Sequence, residues 1–149
     1  MLDLEQLLRT LPNELAAQVL HGATEDRICH ITCDSRKAGP ESIFVAIKGS
    51  RADSHDFLAQ IAAQGCPCAV VEDDPGPLDS TTVVRVKDSH AALGWLAAAL
   101  HDFPAQDMTL IGLTGTNGKT TISWLIEQML TASGCQVGVI GTVNYRWTD

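Results

Sequence analysis

The residues with the plainest chemical purpose are Gly115-Thr-Asn-Gly-Lys-Thr-Thr121. Glycines let a backbone approach a ligand without a Cβ in the way. A helix that follows such a loop leaves its first N–H groups unpaired, and these point at an anion. Lys119 adds a point charge for the outer oxygens of a polyphosphate, and Thr120 offers a hydroxyl to a magnesium ion. Leu110, Ile111 and Leu113 predict a buried strand leading into the loop. Ile122, Leu125, Ile126, Met129 and Leu130 then recur at helical spacing. Strand, glycine loop, lysine with hydroxyl, and helix together make a phosphate cradle. The strict pattern G-x-x-x-x-G-K-S/T needs glycine at position 113, where this chain has Leu113. The loop is therefore a variant, G-T-N-G-K-T.

The elements that must position these groups can be read in order. Leu4, Leu7, Leu8 and Leu11 predict an amphipathic helix over 3–11, with Asp3 and Gln6 spaced as a capping box. Residues 14–20 read as a weaker helix or an extended arm. A strand over 28–32 runs into the polar tetrad Cys33-Asp-Ser-Arg36, and Gly39-Pro40 marks a turn. Ser42-Ile-Phe-Val-Ala-Ile47 predicts a buried strand that ends in a second polar loop over 48–54. Asp53 or Ser54 can cap a helix over 55–64 with Phe57, Leu58, Ile61 and Ala62 inward and Gly65 as its stop. Strands over 68–71 and 82–86 flank a surface loop over 73–80. A helix from Asp88 or Ser89 to Leu100 is apolar nearly all round, which predicts burial on several sides or a place between domains. Residues 101–107, with Pro104, read as a linker. Beyond the glycine loop, a helix over 119–132 ends at Gly134, and a strand over 136–140 completes a βαβ unit parallel to 109–113. One such unit is not self-sufficient, so the sequence is expected to be a fragment, or the N-terminal piece, of a longer protein.

Apolar residues at 45% and charged residues at 19% predict a packed core. A net charge of −8 argues against general binding to nucleic acid or an anionic membrane. The acidic N-terminus has no signal-peptide pattern, and no apolar run reaches the ~18 residues of a membrane span. Cys29, Cys33, Cys66, Cys68 and Cys135 lack paired C-x-x-C spacing and read as buried reduced thiols in a cytosolic protein. A zinc site drawn from Cys29, His30, Cys33 and the Cys66/Cys68 pair stays open as the alternative. His55 reads as a helix-start residue, and His21, His30, His90 and His101 as incidental.

Thr114-Gly-Thr-Asn-Gly-Lys-Thr-Thr121 resembles the loop of the Mur ligases of bacterial cell-wall synthesis. So do Asp34-Ser-Arg36, Ile43-Phe-Val-Ala46, Gly49 and the stretch from His55-Asp-Phe57 to Gly65 resemble the family's N-terminal domain. Gly138-Val-Ile-Gly-Thr-Val143 is similar to the second strand of the ATPase domain in MurE-type members. The resemblance covers nearly all of 28–145. It implies an α/β fold: a mixed α/β domain over 1–103 for a UDP-muramyl substrate, then the start of an ATP-binding P-loop domain over 108–149.

The same resemblance implies roles for individual residues. Gly115, Thr116, Asn117, Gly118, Lys119, Thr120 and Thr121 would bind ATP, with Lys119 catalytic and Thr120 on Mg²⁺. Cys33 and Ser35, with Ser50, Arg51 and Ala52, would contact the UDP-muramyl substrate. A hydroxyl, an arginine and loop N–H groups suit a sugar-nucleotide diphosphate. The plainer reading of Ser35 and Arg36 is a turn with a surface ion pair, and Asp34 reads equally well as a cap. The implied reaction is ATP-dependent formation of an amide bond between UDP-N-acetylmuramoyl-L-alanyl-D-glutamate and meso-diaminopimelate or lysine, through an acyl phosphate, in the cytoplasm. Residues 1–149 alone would be inactive. A MurF-type ligase, or a non-catalytic module that binds a UDP-sugar or nucleotide, is the alternative. A folylpolyglutamate synthetase shares the loop but lacks the preceding domain.

Overall fold

Strands buried on both faces read as unbroken apolar runs, and two such runs help build the sheet of the N-terminal unit. A computed structural model describes residues 2–49 and 53–147 and resolves two compact units, Met1–Met108 and Thr109–Asp149. The first unit begins with β1 (Leu2–Asp3), α1 (Leu4–Arg9), a 3₁₀ turn (Asn13–Leu15), β2 (Gln18–His21), β3 (Arg27–Ile28) and β4 (His30–Thr32). A 3₁₀ turn (Ser35–Lys37), β5 (Ser42–Val45), a further 3₁₀ turn (Ser54–Phe57) and α2 (Leu58–Ala63) come next. It closes with β6 (Cys68–Val71), β7 (Thr82–Arg85) and α3 (Ser89–Leu100).

Five strands form one sheet in the order β2-β7-β6-β5-β4. The four from β4 to β7 run parallel, and β2 adds antiparallel to β7 at one edge. Side chains alternate across the sheet. Ile43, Val45, Cys68, Val70 and Val84 face Leu4, Leu7, Ala92, Leu96 and Ala99. Phe44, Ala46, Ala69, Val71 and Val83 face Leu58 and Ile61 on the other side. The α/β class holds, and both sheet faces of this unit are covered.

Several expectations need correction. Asp3 stands at the N-cap of α1, but its side chain makes no cap bond. The first N–H groups are satisfied instead by the backbone, Leu4 to the Asp26 carbonyl at 2.9 Å and Glu5 to Thr24 at 3.3 Å. The expected strand over 28–32 is divided at Cys29, because β3 pairs with β1 while β4 pairs with β5. Residues 14–20 split into a 3₁₀ turn and β2. The helix over 55–64 starts as a 3₁₀ turn, which rotates Phe57 out of the apolar stripe and leaves it 39% exposed. Helix α3 is capped by Asp88, which accepts from the Ala91 N–H at 2.9 Å. It buries one face, Ser89, Ala92, Leu96 and Ala99, rather than several. Its Trp95 stays outside, edge-on to Phe103 at 5.9 Å. Cys66 and Cys68 are buried, but Cys29, Cys33 and Cys135 are exposed, because they lie at strand ends and in turns.

The second unit consists of α4 (Lys119–Ala132), β8 (Gly138–Ile140) and β9 (Tyr145–Trp147). Helix α4 forms where expected, and Gly134 ends it at φ +83°. The strand pairing differs. Residues 109–113 form no strand, and β8 pairs antiparallel with β9, Gly138 opposite Trp147 and Ile140 opposite Tyr145. A parallel pair needs cover on both faces, whereas a hairpin closes locally. Leu110, Ile111 and Leu113 are accordingly exposed, and so are Ile122, Leu125 and Met129 on the stripe expected to pack on a sheet. The helix is tied to the hairpin by Arg146. Its Nε donates to Glu127 Oε2 at 2.6 Å, and its guanidinium lies 3.9 Å over the Trp124 ring.

Candidate functional site

The first unit carries a cleft of about 440 Å³ lined by Cys33, Asp34, Ser35, Arg36, Ser54, Phe57 and Gln60. Two polar loop ends build it. One comes after β4, where Asp34 caps the 3₁₀ turn that carries Ser35 and Arg36. The other precedes α2, where Asp53 caps the turn that carries Ser54 and Phe57. In the amide orientation its partners require, Gln64 donates to the carbonyls of Ser35 and Ala38 at 2.9 and 3.1 Å and accepts from Gln60 at 3.2 Å. That bridge ties the end of α2 to the Ser35 turn.

Asp34 is a structural residue. It accepts from Arg36 Nε and Nη2, both at 2.8 Å, and from the Arg36 backbone N–H at 3.1 Å. These bonds, the side-chain ones foremost, hold its carboxyl down to about 2. Arg36 remains largely exposed with its guanidinium oriented by this fork. Cys33 and Ser35 line this cleft. Ser50, Arg51 and Ala52 lie outside the described residues.

Behind the cleft, sequence reasoning missed a polar network. Asp53 Oδ1 accepts from the His55 N–H at 3.0 Å and meets His55 Nδ1 at 2.6 Å. The Glu72 N–H donates to His55 Nε2 at 3.4 Å. Glu72 Oε1 accepts from the Ser89 N–H at 3.0 Å and from its hydroxyl at 2.9 Å, which holds the carboxyl below its ordinary range. Lys48 reaches Asp73 at 2.6 Å. Only the parallel register of β5 and β6 brings these residues together, and nothing in local spacing announces it. Phe57, Ser54 and Gln60 were missed as lining residues for a different reason. A 3₁₀ start shifts the helical phase.

In the second unit, Gly115 at φ +143° and Gly118 at φ +78° shape the turn. Gly118 is the N-cap of α4 and brings no capping side chain, so the terminus presents its first N–H groups to the loop. The Lys119 ammonium folds back and donates to the Gly115 carbonyl. The loop 115–121 is exposed throughout. A turn with two left-handed glycines, an uncapped helix start and a lysine over its mouth fits a polyphosphate. Thr120, in the first turn of α4, is the hydroxyl that would hold a magnesium ion riding with that polyphosphate. Among the described residues, no three His, Cys, Asp or Glu side chains converge as a metal-binding set.

Known proteins share this layout. Residues 27–101 match the Mur ligase family, catalytic domain, and residues 113–148 match the Mur ligase middle domain. The chain is 36% identical over 149 residues to UDP-N-acetylmuramoyl-L-alanyl-D-glutamate–2,6-diaminopimelate ligase 2 of Clostridium acetobutylicum, covering 99% of this chain and 30% of that protein. It is 43% identical over 122 residues to the Bacillus cereus ligase of that name, 82% of this chain and 24% of the relative. Among solved structures, MurF from Acinetobacter baumannii aligns at a TM-score of 0.67 with 30% identity, over 87% of this chain and 27% of that one. MurF from Thermotoga maritima in complex with ADP aligns at 0.52 with 26% identity, over 72% and 23%. The chain thus spans about 30% of the length of the first of these relatives. By the family match over 27–101 and the identity along its whole length, the chain belongs to the Mur ligase family.

Proposed function

We propose that this chain is the substrate-binding and nucleotide-cradling part of a ligase that joins meso-diaminopimelate, or lysine, to UDP-N-acetylmuramoyl-L-alanyl-D-glutamate at the expense of ATP. The observation that carries the reading is that a cleft lined by Cys33, Ser35 and Arg36 and a glycine loop at a helix start over 115–121 occur in one chain, 36% identical along its length to a ligase of that name. In this reading residues 1–103 take the sugar nucleotide and 108–149 begin the ATP-binding domain. Cys33 and Ser35, with Ser50, Arg51 and Ala52, contact the UDP-muramyl group, and Arg36 meets its diphosphate.

The D-glutamyl carboxylate attacks the γ-phosphorus of ATP. A carboxylate O–P bond forms, the bridging P–O bond breaks and ADP leaves. The amine of the diamino acid then attacks the acyl carbon, loses a proton and expels phosphate. The reactants are anionic, so the residues' work is alignment and charge neutralisation. Lys119 leaves the Gly115 carbonyl for the transferring phosphoryl, while the N–H groups of 115–121 hold its oxygens. Thr120 would hold Mg²⁺, which would screen the nucleotide's charge. By the resemblance to the Mur ligases we place the reaction in the cytoplasm; separately, no helix among the described residues is long and apolar enough to cross a membrane.

A second reading, addition of D-alanyl-D-alanine, is favoured by the TM-score of 0.67 to MurF. Coupled ADP release from the full-length enzyme separates the two. Turnover is expected with the UDP-muramyl dipeptide plus diaminopimelate or lysine. Turnover only with a UDP-muramyl tripeptide plus D-alanyl-D-alanine would overturn the first reading. The 149-residue chain alone is expected to release no ADP.

A further inference from the structure

The cleft wall that carries Ser54 and Phe57 is not held by packing alone. Phe57 is exposed, and the turn lies outside the apolar core. It is anchored through His55, which is itself largely enclosed, with 15% of its side chain exposed. The ring's two nitrogens have opposite duties. A backbone N–H can only donate, so Nε2, 3.4 Å from the Glu72 N–H, must be the bare acceptor. An ionised carboxylate can only accept, so Nδ1, 2.6 Å from Asp53 Oδ1, must carry the proton. Glu72 in turn caps α3 through Ser89, and Lys48 reaches from the end of β5 to Asp73 and, at 4.0 Å, to Glu72. The turn is thereby strapped to the carboxyl end of β6 and to the start of α3, both fixed by the sheet.

We infer that His55 is a positioning residue for the sugar-nucleotide cleft: a neutral, Nδ1-protonated strut between Asp53 and the main chain of Glu72 that sets the place of Ser54 and Phe57. The identity of the ligand rests on the proposed function; the strut itself does not. His55 does not line the cleft. Its loss should weaken recognition of one substrate and leave the chemical step alone. A histidine kept only for bulk would be replaced without loss by phenylalanine, which keeps a ring and removes both hydrogen bonds.

Two measurements test this. In ¹⁵N spectra of the 149-residue chain, the His55 ring is expected in the Nδ1–H form at neutral pH, and His55→Phe is expected to displace the Ser54 and Phe57 amide resonances. An Nε2-protonated or doubly protonated ring, or unmoved amides, overturns the inference. In the full-length ligase, His55→Phe is expected to raise KM for the UDP-muramyl dipeptide about tenfold, the scale of a lost hydrogen bond, with kcat and the KM for ATP within about twofold of wild type. His55→Gln, which keeps an acceptor near the Nε2 position, is expected to recover part of that loss. A wild-type KM in His55→Phe, or an equal loss for both substrates, overturns the inference. If the wild-type enzyme ignores the sugar nucleotide while the ring and amides behave as expected, the functional reading fails and the strut stands.

Discussion

Phe44, Ile43, Val45 and Ile61 in the first unit are wholly enclosed, whereas Leu125 and Met129 in the second stand 60% and 70% exposed. Both sets have the spacing of core positions. The difference is the surface available to cover them. The first unit supplies a five-stranded sheet with helices on both faces; the second supplies one helix and one hairpin. The two candidate sites differ in the same way. The cleft at 33–60 depends on long-range order, because Asp34, Ser54 and Gln60 reach it from elements that the sheet aligns and the Gln64 bridge then joins. The cradle at 115–121 depends on two glycine conformations and a helix start, all local. A glycine loop can thus form beside an uncovered apolar helix, and a cleft built from distant elements cannot.

That contrast can be broken by substitution, beginning where the effect should be largest. Phe44→Ala should destabilise the first unit by about 3–5 kcal/mol, the cost of emptying a closed aromatic site. Chemical denaturation of the 149-residue chain measures it, and a loss below about 1 kcal/mol would mean that the sheet is less closed than the burial of Phe44 implies. Lys119→Ala should leave that transition in place but reduce kcat of the full-length enzyme by at least roughly 10²-fold. Near-wild-type turnover would remove the lysine from the phosphoryl-transfer machinery. Leu125→Ala should change the stability of the 149-residue chain by no more than about 0.5 kcal/mol, since it uncovers little that is not already exposed. A change of core size would show that the helix face is covered in solution.

The smallest effect concerns Asp34. Its folded carboxyl, held to about 2, lies below its ordinary value of about 3.9. The stability it contributes is therefore present above pH ~4 and is lost as pH falls toward ~2. Asp34→Asn should lower stability above pH ~4, where the ionised fork acts, and flatten that part of the acid-denaturation curve. An unaltered acid limb would contradict the Arg36 fork.

Much of this was legible in the sequence where the physics is local. Gly115, Gly118 and the apolar spacing after them specified a glycine turn and a helix, and both formed. The runs 42–47 and 68–71 specified buried strands. What the sequence hid was non-local. Leu110, Ile111 and Leu113 have strand composition but no neighbour to pair with among the described residues. Phe57 has stripe spacing, but a 3₁₀ turn changes the period beneath it. The His55–Glu72 bond joins residues whose proximity exists only after β5 and β6 pair.

The central claim is that the two regions serve two different substrates, and chemical-shift mapping of the 149-residue chain tests it most directly. UDP-N-acetylmuramoyl-L-alanyl-D-glutamate is predicted to move the amides of Cys33, Ser35, Arg36, Ser54, Phe57 and Gln60, and Mg²⁺-ATP those of Gly115 to Thr121. A sugar nucleotide that leaves the cleft amides unmoved, or that moves the 115–121 loop in place of them, would contradict the account.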